Sequence, residues 1–334
     1  LSRFTHALSE KLVQAWYRPE LSFALLPLLP LAALVKREAS RRYQNFRQFP
    51  PWKPPVPVIV VGNVTAGGTG KTPMVAALVK RLVAEGYRPG VISRGYASNK
   101  SSSPVLVGVG SDPEQCGDEP VMLAELTGVP VVVDADRQRA VRHLLDVTDC
   151  NLVISDDGLQ HYRLHRDLEI ALVDGTRGLG NGYCLPAGPL RESGDRLRDV
   201  DLVVTNGPCQ RALPVDPVLM TLKSSQVLPV DGKSRDFTGG SGDAVHAVAG
   251  IGNPQRFFST LEKQGFTVHP HVFPDHHSFV VDDLSSLGDG TVIMTAKDAI
   301  KCRPFARDNW WYLTVEAQLP ESFWTTVLGR LSNL

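Results

Sequence analysis

A chain of 334 residues has room for one large α/β unit or two domains with an ample core. Its 35 basic and 35 acidic side chains leave a formal charge of zero, so no global basic field points to a nucleic-acid partner. The 5 cysteines, odd in number and without a CxxC pair, argue against a disulfide framework or a zinc knuckle and fit a reducing compartment.

Residues 21–35 (LSFALLPLLPLAALV) are almost wholly apolar. They are fewer than the roughly 20 residues needed to cross a bilayer, and Pro27 and Pro30 interrupt them. Lys36, Arg37, Arg41, Arg42, Arg47 and Lys53 follow, against a single acid, Glu38. This combination fits an interfacial anchor, with apolar side chains in lipid, cations against anionic headgroups, and the rest of the chain on the cytoplasmic side. The competing reading is a buried core helix. A secretory signal fits poorly, because a long charged segment follows and no small-residue cleavage pattern is present.

Pro50-Pro51-Trp52-Lys53-Pro54-Pro55 excludes helix and marks a natural boundary. Beyond it, short β-branched runs alternate with amphipathic stretches. Strands are expected over 58–61, 90–93, 130–133, 151–155, 168–173 and 201–205, with helices over 73–85 and 137–146. Residues 207–242, rich in Pro, Gly and Ser, read as a connector. A second pattern follows, with a strand over 244–249, a helix over 254–264 and a strand over 291–295. The expected class is α/β. An apolar and basic segment (1–50) precedes a P-loop NTPase-like parallel sheet flanked by helices (51–210), and a smaller C-terminal α/β domain (211–334) helps to form the cleft.

The first turn after the 58–61 strand reads Gly62-Asn-Val-Thr-Ala-Gly67-Gly68-Thr69-Gly70-Lys71-Thr72-Pro73. Glycines there let backbone N–H groups converge on phosphate oxygens at a helix N-terminus. Lys71 is placed to reach the β- and γ-phosphates of ATP, and the Thr72 hydroxyl to hold Mg²⁺. The match departs from the usual P-loop at one position, where Thr65 replaces the first glycine. The run 151–157 ends an apolar strand in Asp156 and Asp157, which would place acids beside the phosphates. Asp156 is the expected Mg²⁺ partner with Asp157 assisting; simple capping of a loop is the alternative.

The run from Asp156 continues as DDGLQHYRL. With GGTGKTP it closely resembles the tetraacyldisaccharide 4′-kinase family, the lipid A precursor kinases of Gram-negative bacteria. Further matches are Ser93-Arg94-Gly95-Tyr96, Gly117-Asp118-Glu119-Pro120, LPAGPLRE ending at Glu192, and Asp275-His276. One departure is Ala296, in Thr295-Ala296-Lys297-Asp298, where the family usually carries an acid.

The resemblance implies transfer of the γ-phosphoryl of ATP to the 4′-hydroxyl of a lipidated glucosamine disaccharide monophosphate at the cytoplasmic face of the inner membrane. It makes Asp118 the candidate base, His276 its orienting partner and Glu119 a metal or water ligand. Gln160 and His161 are implied contacts to the disaccharide. Arg94, Arg137 and Arg191 are candidates for the phosphate already on the substrate, since guanidinium pairs bidentately with phosphate. Because Asp118 and His276 belong to different halves, domain closure is expected to assemble the site. The chain is expected to act as a monomer.

Two other constellations are weaker. His269, His271, His276 and His277 with Asp275 suggest zinc, but Pro270 and Pro274 imply a bent loop and not one ligand face. Gly250-Ile251-Gly252-Asn253 lacks the third glycine of a dinucleotide fingerprint and reads as a tight turn. Competing functions are a membrane-targeting ATPase, disfavoured by Ala66 where such proteins carry a second lysine, a soluble kinase or ligase of a cofactor pathway, and a non-enzymatic nucleotide-binding scaffold.

Overall fold

The structure, a computed structural model, describes residues 11–334 apart from 19, 96–102, 109 and 276. Its N-terminal half contains strands β1 (Val58–Asn63), β2 (Pro89–Ser93), β3 (Val105–Val107), β4 (Val131–Val133), β5 (Leu152–Ser155), β6 (Leu168–Asp174) and β7 (Leu202–Asn206). Helices α1 (Leu29–Gln48), α2 (Lys71–Ala84), α3 (Asp118–Thr127) and α4 (Arg137–Val147) accompany them. The rest of the chain adds β8 (Val218–Pro229), β9 (Ala244–Ala249), β10 (Thr267–Val272), β11 (Val292–Thr295) and β12 (Trp310–Gln318). Its helices are α5 (Pro254–Lys263), α6 (Ala296–Cys302) and α7 (Glu321–Leu331).

All 6 residues of β1 are buried, as a β-branched run between two helix-covered faces should be. β1 pairs in parallel with β5, Val60 opposite Ser155, and on its other side with β6, Ile59 opposite Leu168. The sheet order is β10-β9-β11-β12-β8-β7-β6-β1-β5-β2-β4-β3. Pairing is parallel except between β3 and β4 and between β8 and β12.

That second antiparallel pair corrects the expectation of a connector over 207–242. β8 runs for 12 residues through that segment, parallel to β7 and antiparallel to β12, and so splices the C-terminal strands onto the P-loop sheet. Its polar centre, Lys223-Ser224-Ser225-Gln226, and the burial of only Met220 and Pro229 explain why periodicity hid it. α7 also returns to the first half: Phe323, Trp324, Val327 and Leu331 share one core with Met74, Val75, Leu78 and Leu82 of α2.

In the N-terminal segment a 3₁₀ turn (Phe23–Leu28) leads into α1, with Pro30 in its first turn, where no N–H is required. Leu25 and Ala32 are buried, Ala32 against a core containing Val64, Leu159 and Leu190. Phe23, Leu26, Leu31 and Leu34 face outward, Phe23 at 88% exposure. The core and surface readings each describe one face of the same segment. Among the described residues no helix is long and apolar enough to cross a membrane.

Gly62 marks the closest approach in this half. A Cβ there would lie 2.8 Å from the backbone N of Leu159, which cannot yield as a side chain can. Gly62→Ala should therefore cost about 1–3 kcal/mol by overpacking, read as a lowered urea midpoint with unchanged slope.

Candidate active site

The phosphate-binding loop hangs from the C-terminal end of β1. Gly67 and Gly70 take φ of 102° and 92°, conformations that side-chain-bearing residues avoid. Asn63, fully buried, holds the loop in shape: its Nδ2 donates to the carbonyls of Thr65 (2.8 Å) and Gly67 (3.2 Å). Its Oδ1 accepts from Lys71 Nζ at 3.3 Å. Asn206, at the end of β7, donates to the Thr69 carbonyl at 3.1 Å and is itself fixed by Arg256 at 2.7 Å.

Asp156 and Asp157 follow β5, whose parallel pairing with β1 brings them to the same sheet edge. Asp156 is buried. Its Oδ2 accepts from Ser93 at 3.4 Å, whereas Oδ1 has no hydrogen-bond partner. Burial, and then the charge of Glu119, push its carboxyl well above the usual range, partly opposed by Lys71. A buried orphan carboxylate oxygen at a strand end, beside a lysine, suits a hard cation, and Mg²⁺ typically takes only one or two carboxylates together with phosphate oxygens. The residues present fit Mg²⁺ in that role. Asp157 sits at φ 49°. Burial raises its carboxyl, but Lys71 (3.4 Å) and Arg191 (2.9 Å) outweigh that and hold it below the ordinary value.

Facing them across a cleft of about 620 Å³ is the start of α3, with residues of the C-terminal half. Lys301 of α6 lies 3.3 Å from Asp118, and Lys297 lies 3.6 Å from Glu119 and 3.3 Å from Asp275. Burial would lower the Lys297 ammonium, but Glu119 and Asp275 raise it, so it stays charged. Asp298, fully buried, accepts from Gly250 N–H at 2.9 Å and from the Thr295 hydroxyl at 2.6 Å, fixing the 250–252 turn and the start of α6 together. That turn meets the phosphate loop, because Arg177 donates to the Gly252 carbonyl at 2.9 Å and a Cβ on Gly252 would come within 3.9 Å of Gly68 N. The two halves are therefore in contact at the cleft.

Gln160 donates to the Asn63 carbonyl (3.0 Å) and to Glu192 (2.6 Å), and Glu192 also accepts from the Tyr162 hydroxyl. The substrate side is thereby wired to the phosphate loop. His161 is kept neutral: burial, then Arg137, Arg166 and Arg94, lower its pKa to about 4.

The structure thus brings Lys71, Thr72, Asp156, Asp157, Asp118 and Glu119 to one cleft, with Gln160 and His161 at its flank. Two of the arginines are corrected. Arg137 is only 1% exposed and donates to the backbone carbonyls of Asp156 (3.0 Å) and Asp134 (3.3 Å), so it shapes the strand end and cannot reach a ligand. Arg191 is spent on Asp157 and Gln160. Arg94 is exposed at the end of β2. His276 lies outside the described residues. No group of His, Cys, Asp or Glu among the described residues is arranged to hold a metal by itself, and His277 pairs with Asp283 at 2.9 Å, away from any zinc cluster. Sequence reasoning missed Asn63, Lys297, Lys301 and Asn206. The lysines carried a signal, since their i,i+4 spacing puts two cations on one helix face.

A family model described as tetraacyldisaccharide-1-P 4′-kinase matches residues 24–332. A tetraacyldisaccharide 4′-kinase from Alcanivorax borkumensis is 49% identical over 97% of this chain and 98% of its own length. Another from Pseudomonas aeruginosa is 45% identical over 98% of each. The crystal structure of LpxK from Aquifex aeolicus in complex with ATP superposes with a TM-score of 0.78 at 29% identity, covering 92% of this chain and all of that one.

Two outcomes follow from this geometry. Asn63→Ala strands two buried carbonyls and frees Lys71, so ATP affinity should fall about tenfold by titration calorimetry, with the melting temperature also lowered. For His161 the folded pKa lies below the unfolded 6.5, so the unfolded state takes up the proton first as pH falls. Its contribution is unchanged above about pH 6.5 and turns against the fold from there to about pH 4; His161→Gln should lose less stability than wild type over that interval in urea titrations.

Proposed function

Because the chain belongs to the tetraacyldisaccharide 4′-kinase family, and so transfers the γ-phosphoryl of ATP to the 4′-hydroxyl of a tetraacylated glucosamine disaccharide 1-phosphate, we propose a division of labour for its residues. The amides of Gly67, Gly68, Thr69 and Gly70 cradle the phosphates, and Lys71 exchanges its contact with Asp157 for phosphate oxygens. Thr72 and Asp156 would hold Mg²⁺, with Asp157 and Glu119 reaching it through water. When bound, that ion bridges and neutralises phosphate oxygens.

Asp118 receives the proton of the acceptor hydroxyl as its oxygen bonds to the γ-phosphorus. The bond from phosphorus to the β–γ bridging oxygen breaks, and ADP leaves with that electron pair. His276 is the residue proposed to orient Asp118, while Lys301 and Lys297 supply fixed positive charge beside the acids. Gln160, His161 and Arg94 face the acceptor. Both halves of one chain supply the cleft, which supports action as a monomer.

The same reading puts the protein at the cytoplasmic face of the inner membrane. Phe23, Leu26, Leu31 and Leu34 enter the lipid, and the cations of α1 lie against headgroups.

The observation that carries this reading is the convergence of Lys71, Asp156 and Asp118 on one cleft. With γ-labelled ATP and the lipid disaccharide monophosphate, Lys71→Ala and Asp118→Ala should each lower turnover by about a hundredfold or more with folding intact. Undiminished transfer in either would remove that residue from the mechanism.

A further inference from the structure

With Arg137 buried and Arg191 engaged by Asp157, the acceptor's existing phosphate needs other cations. A second cleft of about 720 Å³ opens between the last turns of α1 and the loop that follows Asp157. Arg42, Phe46 and Phe49 line one side, and Gln138, His161 and Arg163 the other. We propose that this cleft is an anionic-sugar subsite in which Arg42 and Arg163 bind the phosphate at the far end of the acceptor from the reacting hydroxyl. The proposal rests on the kinase reading above and assigns one part of its substrate.

Three observations support it. First, the cleft carries excess positive charge. Glu38 is the single acid of α1 and is shared between Arg41 and Arg42, each at 2.8 Å, while Arg163 is exposed and forms no ion pair among the described residues. Guanidinium groups with spare donors suit a phosphate monoester.

Second, the walls are fixed before any ligand arrives. Arg166 stacks over Phe46 at 4.7 Å, and Arg196 over Tyr43 at 4.3 Å. The Tyr162 ring lies 5.4 Å from Tyr43 and 5.6 Å from Phe46. Arg196 is held by the buried Glu169 carboxylate at 2.5 Å and 2.7 Å. Such stacked and ion-paired contacts set the position of α1 against the loop.

Third, a single loop runs from the transfer site at Asp156 and Asp157, past Gln160 and His161, to Arg163. A disaccharide that lies along it, with its reacting hydroxyl at the first end, carries its phosphate to the second. Aromatic rings and neutral polar groups between the ends suit sugar faces and hydroxyls.

An anionic lipid headgroup offers the same phosphate chemistry, so the test has two arms. Detergent-solubilised full-length protein carrying Arg42→Ala and Arg163→Ala is assayed with the disaccharide acceptor bearing its 1-phosphate and with the same acceptor lacking it. Both side chains are exposed, so melting temperature and ATP affinity should match wild type. KM for the phosphorylated acceptor should rise about tenfold or more with kcat within about twofold, and KM for the dephosphorylated acceptor should equal that of wild type. Arg163→Lys, which restores charge without the fork, should recover part of the loss.

An equal penalty on both acceptors, or none on the phosphorylated one, overturns the assignment. In the second arm, sedimentation with phosphatidylglycerol-containing vesicles should be the same for variant and wild type. Loss of that binding without acceptor discrimination would assign the arginines to headgroups and overturn the proposal. Wild-type inactivity on both acceptors would overturn the kinase reading and this subsite with it, a result distinct from a failure to discriminate.

Discussion

Parallel pairing of β1 with β5, Val60 opposite Ser155, is the constraint on which the site depends. Because both strands run the same way, the loop after Asn63 and the acids after Ser155 emerge at one sheet edge. A one-residue slip would turn every side chain of β5 to the opposite face. The fully buried β-branched run of β1 makes that slip costly, so hydrophobic burial fixes the electrostatic geometry.

Around that edge, charge is arranged so that each acid of the cleft has a cation against it. Asp157 meets Lys71 and Arg191, Asp118 meets Lys301, and Glu119 meets Lys297. Asp156 is the exception, buried with one oxygen unpartnered, and this is the position a divalent ion would complete. The lysines of α6 come from the C-terminal half, and β8 joins the two halves as one sheet, so a cross-half electrostatic contact rests on continuous backbone pairing. Asp298 further ties the 250–252 turn to α6 without the acid that Ala296 replaces.

Much of this was legible in the sequence where the signal is local. The apolar run into a glycine-rich turn located β1, the phosphate loop and α2 to within two or three residues, and the run ending in Asp156-Asp157 located β5. What depends on distant partners was not legible. β8 has one weakly patterned face and polar residues at its centre, so only its neighbours define it as a strand. Arg137 looks like any arginine at a helix start until the fold buries it against the Asp156 carbonyl. Lys297 and Lys301 acquire meaning only because α3, far earlier in the chain, lies opposite. The apolar N-terminal segment defied a single assignment because one face packs on the core while the other faces out.

The most direct test of the central claim, that the β1 loop and the β5 acids form one magnesium–nucleotide site, is ATP affinity with and without Mg²⁺ in wild type and Asp156→Asn. Wild type should bind ATP about tenfold or more tightly when Mg²⁺ is present, and the variant should keep the metal-free affinity but lose that gain. An equal gain from Mg²⁺ in both proteins would contradict the account.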